Sequence, residues 1–378
     1  MKQLDGTRLI IADSEHNADM LYASGMFVPD AFIAIEMEGQ WHGLFSPLEV
    51  DRAKKDSKLH EAHLDTPWRQ QAEADHRSGL AAVAAAFLQH RDITQVMVPG
   101  DFPLAYAEKL RSWGFKVDAV EGAFFPGRAV KSEYELRCLA QSERLTRQSM
   151  QQAEAYLAQC GVGDDGILRA PDTAKKVKSA DVRRVIETFL IGRGAMPAHT
   201  IVACGKEGAD PHNIGHGFIR AHQTIIIDIF PRMLATGYWG DMTRSYVKGK
   251  ASPEIKRLYQ TVREGQDIGL SMVASGVDGT VIHQRITDHF DTQGYPTKMV
   301  RGKQTGFFHG TGHGVGLQIH EAPGISVRSN ILQANQVVTV EPGLYYPGLG
   351  GIRLEDMVIV RDGGCDNLTK YKRKLEIA

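Results

Sequence analysis

The sequence predicts an α/β N-terminal domain at residues 1–127, followed by an α+β catalytic domain at 128–378. Three observations lead to this prediction. The chain has 378 residues, which is longer than one hydrophobic core usually grows. Its first third alternates between strand-like and helix-like segments, whereas the remainder contains runs of helices and runs of strands.

The elements of the first domain are short and alternate in type. Strand-like segments are "RLIIAD", "QVMVPG" and "KVDAV", and helix-like segments are "SEHNADMLYASG", "GLAAVAAAFLQHR" and "PLAYAEKLRSWG". The charged run "DRAKKDSK" at residues 51–58 is typical of a solvated helix face. This domain contains no glycine-rich phosphate loop and no cluster of potential ligands in its sequence, so a chemical role for it is hard to argue from the sequence.

The second domain begins after a Pro-Gly pair in "EGAFFPGRAVK". Ser132 and Glu135 have the spacing of a capping box, which predicts the start of a long helix, "SEYELRCLAQSERLTRQSMQQAEAYL". Three more helices are predicted at "SADVRRVIETFLIGRG", "PEIKRLYQTVREGQDIGLSMVASG" and "GTVIHQRITDHFDTQG". Strands are predicted at "QTIIIDIF", "GYWGDMTRSYVKG", "QVVTVEP" and "GGIRLEDMVIV".

Charge and composition exclude several classes of partner. The chain has 44 basic and 45 acidic residues and a pI near 7.0, which is unlike a general nucleic-acid or membrane-surface binder. The start, "MKQLDGTRLIIADSEH", has only a short apolar run, and "GLAAVAAAFL" is too short to span a bilayer. Four dispersed cysteines suit a reducing compartment. We therefore expect a cytoplasmic protein that acts on a small or neutral molecule.

Four carboxylates lie in or beside apolar strand-like segments of the second domain. They are Asp228, Asp241, Glu341 and Glu355. Burial of an ionised carboxylate without a partner is so unfavourable that the group takes up a proton instead. An ion pair with Arg244 or Arg353 explains any single acid about as well as a site does. Two divalent cations explain all four together, because their charge balances the four carboxylates.

The positions of these acids predict two hairpins. Asp228 and Asp241 flank one loop and are expected to be cross-strand neighbours. Glu341 and Glu355 flank a second loop, "PGLYYPGLGG". Two hairpins that each contribute two acids would form an oxygen-rich pocket.

The segment "HGTGHGVGLQIH" at residues 309–320 contains His309, His313 and His320. Its glycines would let the backbone approach a metal closely and adopt positive φ where needed. A solvated polar loop is the alternative interpretation. Three histidines within twelve residues favour a site.

Taken together, these motifs resemble a known family. "HGTGHGVGLQIHE", "VTVEPGLYY", "GIRLED" and "DMTRS" are similar, in the same order, to the signature set of the pita-bread metallopeptidases. This family includes Xaa-Pro aminopeptidases, prolidases and methionine aminopeptidases, with creatinase as a metal-free relative. The α/β domain that precedes the motifs resembles the creatinase-type N-terminal domain of the Xaa-Pro branch, which favours that branch.

The resemblance implies five ligands for two metal ions. Asp241 and Glu355 would bridge the two ions. Asp228 would complete the coordination of one ion, and His313 and Glu341 that of the other. Because carboxylates dominate, Mn²⁺ is the expected metal, with Co²⁺, Zn²⁺ or Fe²⁺ as alternatives. The resemblance also implies a homodimer.

The resemblance further implies residues that face the substrate. His309, His320 and His212 match histidines of this kind, with His216 as a less favoured substitute for His212. Arg353 matches an arginine that braces the carboxylates, and Tyr345 matches an active-site tyrosine. The implied roles are catalytic for Glu341, His320 and His212, and substrate-binding for His309, Arg353 and Tyr345.

The expected reaction is metal-assisted hydrolysis of the peptide bond before a proline at the second position of a small peptide. Glu341 would accept the proton of the attacking water, and His320 would stabilise the oxyanion or protonate the leaving nitrogen. An aminopeptidase is favoured over a dipeptidase, which would need Arg301, Lys303 or a partner residue to bind the substrate carboxylate. A metal-dependent lyase or a non-peptidase member of the fold is the alternative of another class.

One departure from the family pattern concerns substrate preference. Phe230 stands where the family usually has glycine, and the loop from Asp228 to Asp241 is two residues longer. An insertion of two leaves both aspartates on one face of the strands, since side chains alternate with period two. The pocket is nevertheless expected to be narrower or reshaped.

Overall fold

The computed structural model describes residues 6–378; residues 1–5, with which the predicted first domain and the segment "MKQLDGTRLIIADSEH" begin, lie outside them. The chain divides into two compact units, Met1–Arg128 and Ala129–Ala378. The boundary predicted after residue 127 lies one residue before this division.

The first unit is built on one mixed sheet. Its elements are β1 Thr7–Ala12, α1 Ala18–Ser24, β2 Phe32–Met37, β3 Gln40–Phe45, α2 Val50–Asp56, β4 Glu61–Leu64, α3 Thr66–Ala74, α4 Leu80–Gln89, β5 Gln95–Val98, α5 Leu104–Ser112 and β6 Lys116–Ala119. The strand order is β4-β3-β2-β1-β5-β6. Strands β1, β2 and β3 pair antiparallel, and the remaining pairs are parallel.

Apolar side chains cover both faces of this sheet. One core contains Leu9, Leu44 and Phe87 and packs the sheet against α4 and α5. The other contains Ile10, Phe45 and residues of α1 and α2. Alternate residues of a strand point to opposite faces, so neighbouring apolar residues of β1 enter different cores.

The second unit contains the remaining elements. They are α6 Glu133–Gln159, β7 Gly161–Val162, β8 Leu168–Arg169, α7 Ser179–Ile191, β9 Ala195–Met196, β10 Ile201–Cys204, β11 Thr224–Ile229, β12 Arg232–Met233, β13 Met242–Lys248, α8 Pro253–Met272, α9 Gly279–Thr292, β14 Lys298–Val300, β15 Lys303–Thr305, β16 Gly312–Gly314, β17 Glu321–Ile325, β18 Val337–Val340, β19 Gly343–Tyr346, β20 Gly350–Arg353, β21 Asp356–Arg361, β22 Gly364–Asn367 and β23 Glu376–Ile377.

Helix α6 begins at the predicted capping box. The backbone N–H of Ser132 donates to Glu135 Oε2 at 2.8 Å, and the N–H of Glu135 donates to Ser132 Oγ at 3.4 Å. Both contacts satisfy amide groups that the first turn of a helix leaves unpaired. This prediction is therefore confirmed.

Two larger sheets, each with its own helices, form the cores of the second unit, and the other strands form two-stranded sheets. A sheet of order β10-β11-β13-β23 shares a core with α6 and α7, and a sheet of order β17-β16-β18-β21-β22 shares one with α8 and α9. The side chain of Ser245 in β13 joins the two halves by donating to the carbonyl of Arg353 at 2.9 Å. The α+β class predicted for this part of the chain is confirmed.

Within residues 6–378, every helix is too short or too polar to cross a lipid bilayer.

Candidate metal centre

Asp228 and Asp241 lie on the same face of an antiparallel strand pair. In the register of β11 and β13, Asp228 is opposite Thr243, so Asp241 lies two residues along, just before β13. The two aspartates are thus cross-strand neighbours, as predicted, but on a diagonal rather than directly opposite each other, because pairing of the strands begins only at Met242. Since side chains alternate along a strand, the diagonal arrangement still directs both carboxylates to one side.

Glu341 and Glu355 lie at an interruption of a second hairpin. Val340 is opposite Asp356 in β18 and β21, and Gly343 is opposite Arg353 in β19 and β20. The acids therefore fall between two stretches of the same register, and the segment predicted as one strand, "GGIRLEDMVIV", forms β20 and β21. The N–H of Glu355 instead donates to Thr243 O at 3.1 Å, which brings the two hairpins together.

The glycines around His313 permit close packing of strands. A Cβ on Gly312 would lie 1.8 Å from Thr339 O, and one on Gly314 would lie 2.4 Å from Ala322 O. Neither glycine has positive φ, so the freedom predicted for these two positions is not used. Close approach of β16 to its neighbours places the His313 side chain beside the carboxylates.

His313 has the tautomer that a metal ligand requires. Its Nδ1 lies 3.1 Å from Gly314 O, and because a carbonyl can only accept, Nδ1 carries the proton. The Nε2 lone pair is then directed at Asp241 Oδ2, 3.5 Å away, and at Glu341 Oε1, 3.4 Å away. A lone pair facing two carboxylate oxygens is favourable when a cation lies between them.

Asp228 is held by an arginine, as the ion-pair alternative proposed. Arg353 Nη2 donates to Asp228 Oδ2 at 2.7 Å. The other oxygen, Asp228 Oδ1, is buried and has no hydrogen-bond partner among the described residues. Arg244 pairs with Asp356 at 2.7 Å rather than with one of the four acids. Asp228 thus offers one free oxygen to a cation.

The protonation equilibria of the acids also fit a cation. Burial, together with repulsion from Asp228 and from the other acids, raises the pKa values of Asp241 and Glu355 well above their usual range. Burial raises the pKa of Glu341 to about 8 and lowers that of His313 to about 4. Divalent ions would offset the repulsion that adds to the effect of burial on these carboxyl groups.

The donor set therefore fits divalent metal ions. One ligand atom each from Asp241, His313 and Glu355 lies within 4.8 Å of the others. Oxygen-rich sets with one imidazole suit Mn²⁺, Fe²⁺, Co²⁺ and Zn²⁺.

A cavity of about 570 Å³ opens onto these residues. Nine of the ten residues predicted for the site line it: Asp228, Asp241, His313, Glu341, Glu355, His212, His309, His320 and Arg353. Phe230, the unusual residue of the longer loop, also lines the cavity, together with Phe308. His216 is exposed and is not among the described lining residues.

Tyr345 is the predicted residue that lies apart from the cavity surface. It is 0% exposed, and its hydroxyl receives a hydrogen bond from Arg353 Nη1 at 3.0 Å. His309 Nδ1 donates to Gly310 O at 2.8 Å, so its Nε2 accepts from the Tyr345 hydroxyl at 2.9 Å. Tyr345 thus orients His309, and both ring nitrogens of His309 are engaged within the protein.

His320 remains accessible above the ligands. Its ring is nearly perpendicular to that of His313, with centroids 4.3 Å apart, and the residue is exposed. Burial of part of the ring lowers its pKa. His212 is also exposed at the cavity rim. These two imidazoles can therefore contact a molecule in the cavity.

Sequence reasoning did not find several supporting residues. Glu143 of α6 is fully buried and accepts the N–H of Asp241 at 3.0 Å, and burial raises its pKa to about 8. Thr243 Oγ1 donates to Glu355 Oε2 at 2.7 Å, and Thr339 Oγ1 accepts from the N–H of His313 at 3.1 Å. Thr243 lies within the motif "DMTRS", but nothing in the helical sequence around Glu143 distinguishes it from a surface acid.

Comparison with known proteins shows which proteins the chain is similar to. A family model described as metallopeptidase family M24 matches residues 137–362, which is more than half of the chain. An uncharacterized peptidase of Bacillus subtilis (strain 168), YqhT, is 29% identical over 276 residues, covering 71% of this chain and 75% of the relative.

An Xaa-Pro dipeptidase of Pyrococcus furiosus is 31% identical over 221 residues, covering 57% of this chain and 61% of the relative, which is less than two thirds of its length. The crystal structure of X-Pro aminopeptidase from Thermotoga maritima MSB8 superposes with a TM-score of 0.81 at 23% identity, covering 99% of this chain and 97% of that chain. The latter likeness confirms the predicted fold class, an α/β N-terminal domain followed by a pita-bread domain.

Proposed function

Because the chain belongs to metallopeptidase family M24, we propose that it is an Xaa-Pro aminopeptidase, which removes the residue that precedes a proline at the second position of a small peptide. The observation that carries this proposal is the cavity in which three buried carboxylates, the partly buried carboxylate of Glu341 and the Nε2 of His313 converge beside the accessible histidines His212 and His320.

The residues divide between two ions. His313 and Glu341 would hold one ion, Asp228 would hold the other, and Asp241 and Glu355 would bridge them. Mn²⁺ is the proposed metal because the donors are mainly hard oxygens. When bound, the two ions supply Lewis-acid polarisation of the scissile carbonyl and lower the pKa of a water molecule.

The protein side chains would move the protons. Glu341 lines the cavity and would accept the proton of the attacking water. His320 is exposed beside the His313 ring, where it would stabilise the developing oxyanion or protonate the leaving proline nitrogen. The substrate's free α-amino group would be anchored at the metal centre, which restricts cleavage to the first residue.

The charge of the cavity supports an aminopeptidase over a dipeptidase. Arg353 is the one arginine or lysine among the described lining residues, and Asp228 already engages it. Arg301, in the turn between β14 and β15, and Lys303, the first residue of β15, are exposed and lie outside this lining. A dipeptide carboxylate would therefore lack a free cationic partner among these residues.

The longer loop is proposed to shape substrate preference. Phe230 occupies the cavity wall, and Trp239 anchors the loop by donating from its backbone to Gly316 O and from its indole to Leu317 O, both at 3.1 Å. A fixed loop with a phenylalanine at the wall favours small side chains in the substrate.

Two alternatives remain. A prolidase would cleave the dipeptide, and the P. furiosus relative bears that name. A metal-dependent lyase or non-peptidase member of the fold would bind metal without cleaving either peptide. A cytoplasmic location and a homodimer stay predictions.

The experiment compares hydrolysis of Ala-Pro, Ala-Pro-Ala and Ala-Ala-Ala by the manganese-loaded protein. We expect cleavage of Ala-Pro-Ala at the Ala-Pro bond, with much slower cleavage of the other two. Cleavage of Ala-Pro alone would indicate a prolidase. Bound manganese without cleavage of any of these peptides would contradict the proposed function.

A further inference from the structure

A cluster of metal-binding side chains lies at the edge of the sheet in the first unit. His42 in β3 is opposite Glu61 in β4, and His63 in β4 is opposite Leu44. Alternate residues of a strand share a face, so His42, Glu61 and His63 project from the same face of two adjacent strands. The prediction that this part of the chain has no cluster of potential ligands is therefore wrong.

Three potential ligand atoms converge in this cluster. His42 Nδ1 lies 3.2 Å from His63 Nε2 and 3.9 Å from Glu61 Oε2, and His63 Nε2 lies 3.5 Å from Glu61 Oε2. Ligands at about 2.0–2.2 Å from a tetrahedral Zn²⁺ are separated from each other by about 3.3–3.6 Å. The three atoms thus outline one face of a tetrahedral site to within a few tenths of an ångström.

We propose that His42, Glu61 and His63 form a binding site for a borderline transition-metal cation, above all Zn²⁺, distinct from the carboxylate centre of the second unit. Two imidazoles and one carboxylate are a known zinc ligand set with a fourth position open. A third imidazole, that of His60, lies beside the cluster, with its ring centroid 5.5 Å from that of His42.

The surroundings keep the two imidazoles in the form that binds metals. The side chains of His42 and His63 are 12% and 16% exposed, and burial lowers the pKa of both, so both are neutral near pH 7. Glu61 is 57% exposed and supplies both negative charge and an access route from solvent.

Positive charges nearby oppose a cation and limit its affinity. Arg91 lowers the pKa of both imidazoles, and Lys54 lowers that of His63, after the larger effect of burial. The Arg91 guanidinium lies over the Phe87 ring at 3.8 Å. Glu61 offsets these charges, since it raises the pKa of both histidines.

The two sites of the chain differ in ligand chemistry. The carboxylate centre offers mainly hard oxygens, whereas the cluster at the sheet edge offers mainly imidazole nitrogen. Imidazole sites bind Zn²⁺ and Cu²⁺ more tightly than Mn²⁺ in the usual order of divalent affinities. We therefore expect manganese to leave the cluster largely empty and zinc to occupy it.

The alternative is a hydrogen bond between two neutral imidazoles. At 3.2 Å, one ring nitrogen could donate to the other without a metal. That arrangement needs no contribution from Glu61. A requirement for Glu61 in zinc binding therefore distinguishes the two interpretations.

The experiment counts zinc bound to the full-length protein at equilibrium. Wild type, the double variant His42→Ala/His63→Ala, Glu61→Gln and the control His16→Ala are dialysed against zinc, and bound metal is measured by mass spectrometry. His16 is a suitable control because its side chain is 84% exposed and remote from this cluster in sequence. Circular dichroism checks folding without reference to activity.

We expect the double variant to bind one zinc fewer per chain than wild type and His16→Ala. Glu61→Gln should weaken binding of that zinc at least about tenfold. Because the Glu61 side chain is largely exposed, this variant should fold even if the double variant does not. Manganese-dependent hydrolysis should be unchanged in Glu61→Gln. Equal zinc binding by wild type and Glu61→Gln would overturn the proposal.

Discussion

Replacement of Asp241 by asparagine is expected to lower peptide hydrolysis by the manganese-loaded protein at least about 10³-fold. Asp241 is one of the two proposed bridging ligands, and the amide of asparagine brings one coordinating oxygen and no charge. Polarisation of the substrate carbonyl by the metal lowers the activation barrier by several kcal/mol, and a change of about 4 kcal/mol corresponds to about 10³-fold in rate. The measurement is kcat/KM for Ala-Pro-Ala, with bound metal determined in the same samples.

The stability of the metal-free Asp241→Asn variant should not fall with its activity. The ionised Asp241 carboxylate is unfavourable in the metal-free fold, because burial and the neighbouring acids raise its pKa. A neutral asparagine removes that repulsion, so the melting temperature of the metal-free variant should be unchanged or higher. Asp51→Asn, at a side chain that is 94% exposed, should change neither property. Full activity in Asp241→Asn would show that the ligand assignment is wrong.

Replacement of Arg353 by methionine is expected to destabilise the metal-free protein by about 3–5 kcal/mol, the range measured when one partner of a buried ion pair is removed. Arg353 is 4% exposed, donates to Asp228 Oδ2 at 2.7 Å and also bonds Thr243 and Tyr345. Its loss leaves the Asp228 carboxylate buried without a countercharge. Urea unfolding of the metal-free variant measures the loss.

Arg244→Met provides a matched control for Arg353→Met. Arg244 is 1% exposed and donates to Asp356 Oδ1 at 2.7 Å, but it lies outside the described cavity lining. We expect a similar loss of stability in both variants. Activity of the folded, manganese-loaded protein should fall about 10–100-fold for Arg353→Met, since Arg353 orients Asp228 and, through Tyr345, His309. Little change is expected for Arg244→Met, and equal activity in the two variants would contradict the positioning role.

Much of the site could be predicted because its acids interrupt apolar strands. A charge inside "TIIIDIF" or "VVTVEPG" is visible without a structure, since burial of an unpaired carboxylate is unfavourable. The same holds for the helices of the second unit, whose caps and apolar periodicity are local signals. The sequence alone does not show which of His309, His313 and His320 is the metal ligand; only the family resemblance indicates His313.

Features that depend on strand pairing were not predictable in the same way. The diagonal placement of Asp228 and Asp241 follows from where β13 starts to pair, which local sequence does not specify. Strands β3 and β4 are short and partly polar, so local sequence does not predict them. The proximity of His42 to His63, which depends on the pairing of these strands, is therefore not predicted either. Register between distant segments decides which side chains meet.

Tertiary packing also assigned roles that composition could not. Glu143 resembles any helical acid until α6 packs beside Asp241, and the family resemblance does not indicate that Tyr345 is buried behind His309. Both residues act by holding another group in place.

Titration of the metal-free protein with manganese, with bound metal and Ala-Pro-Ala hydrolysis followed in the same samples, tests the dinuclear centre most directly. Hydrolysis should rise to a plateau when two manganese ions are bound per chain, because Asp241 and Glu355 are proposed to bridge two ions. Wild type and Glu61→Gln should give the same curve, since the cluster at the sheet edge binds manganese weakly. A plateau at one ion per chain, or two bound ions without hydrolysis, would contradict a dinuclear peptidase.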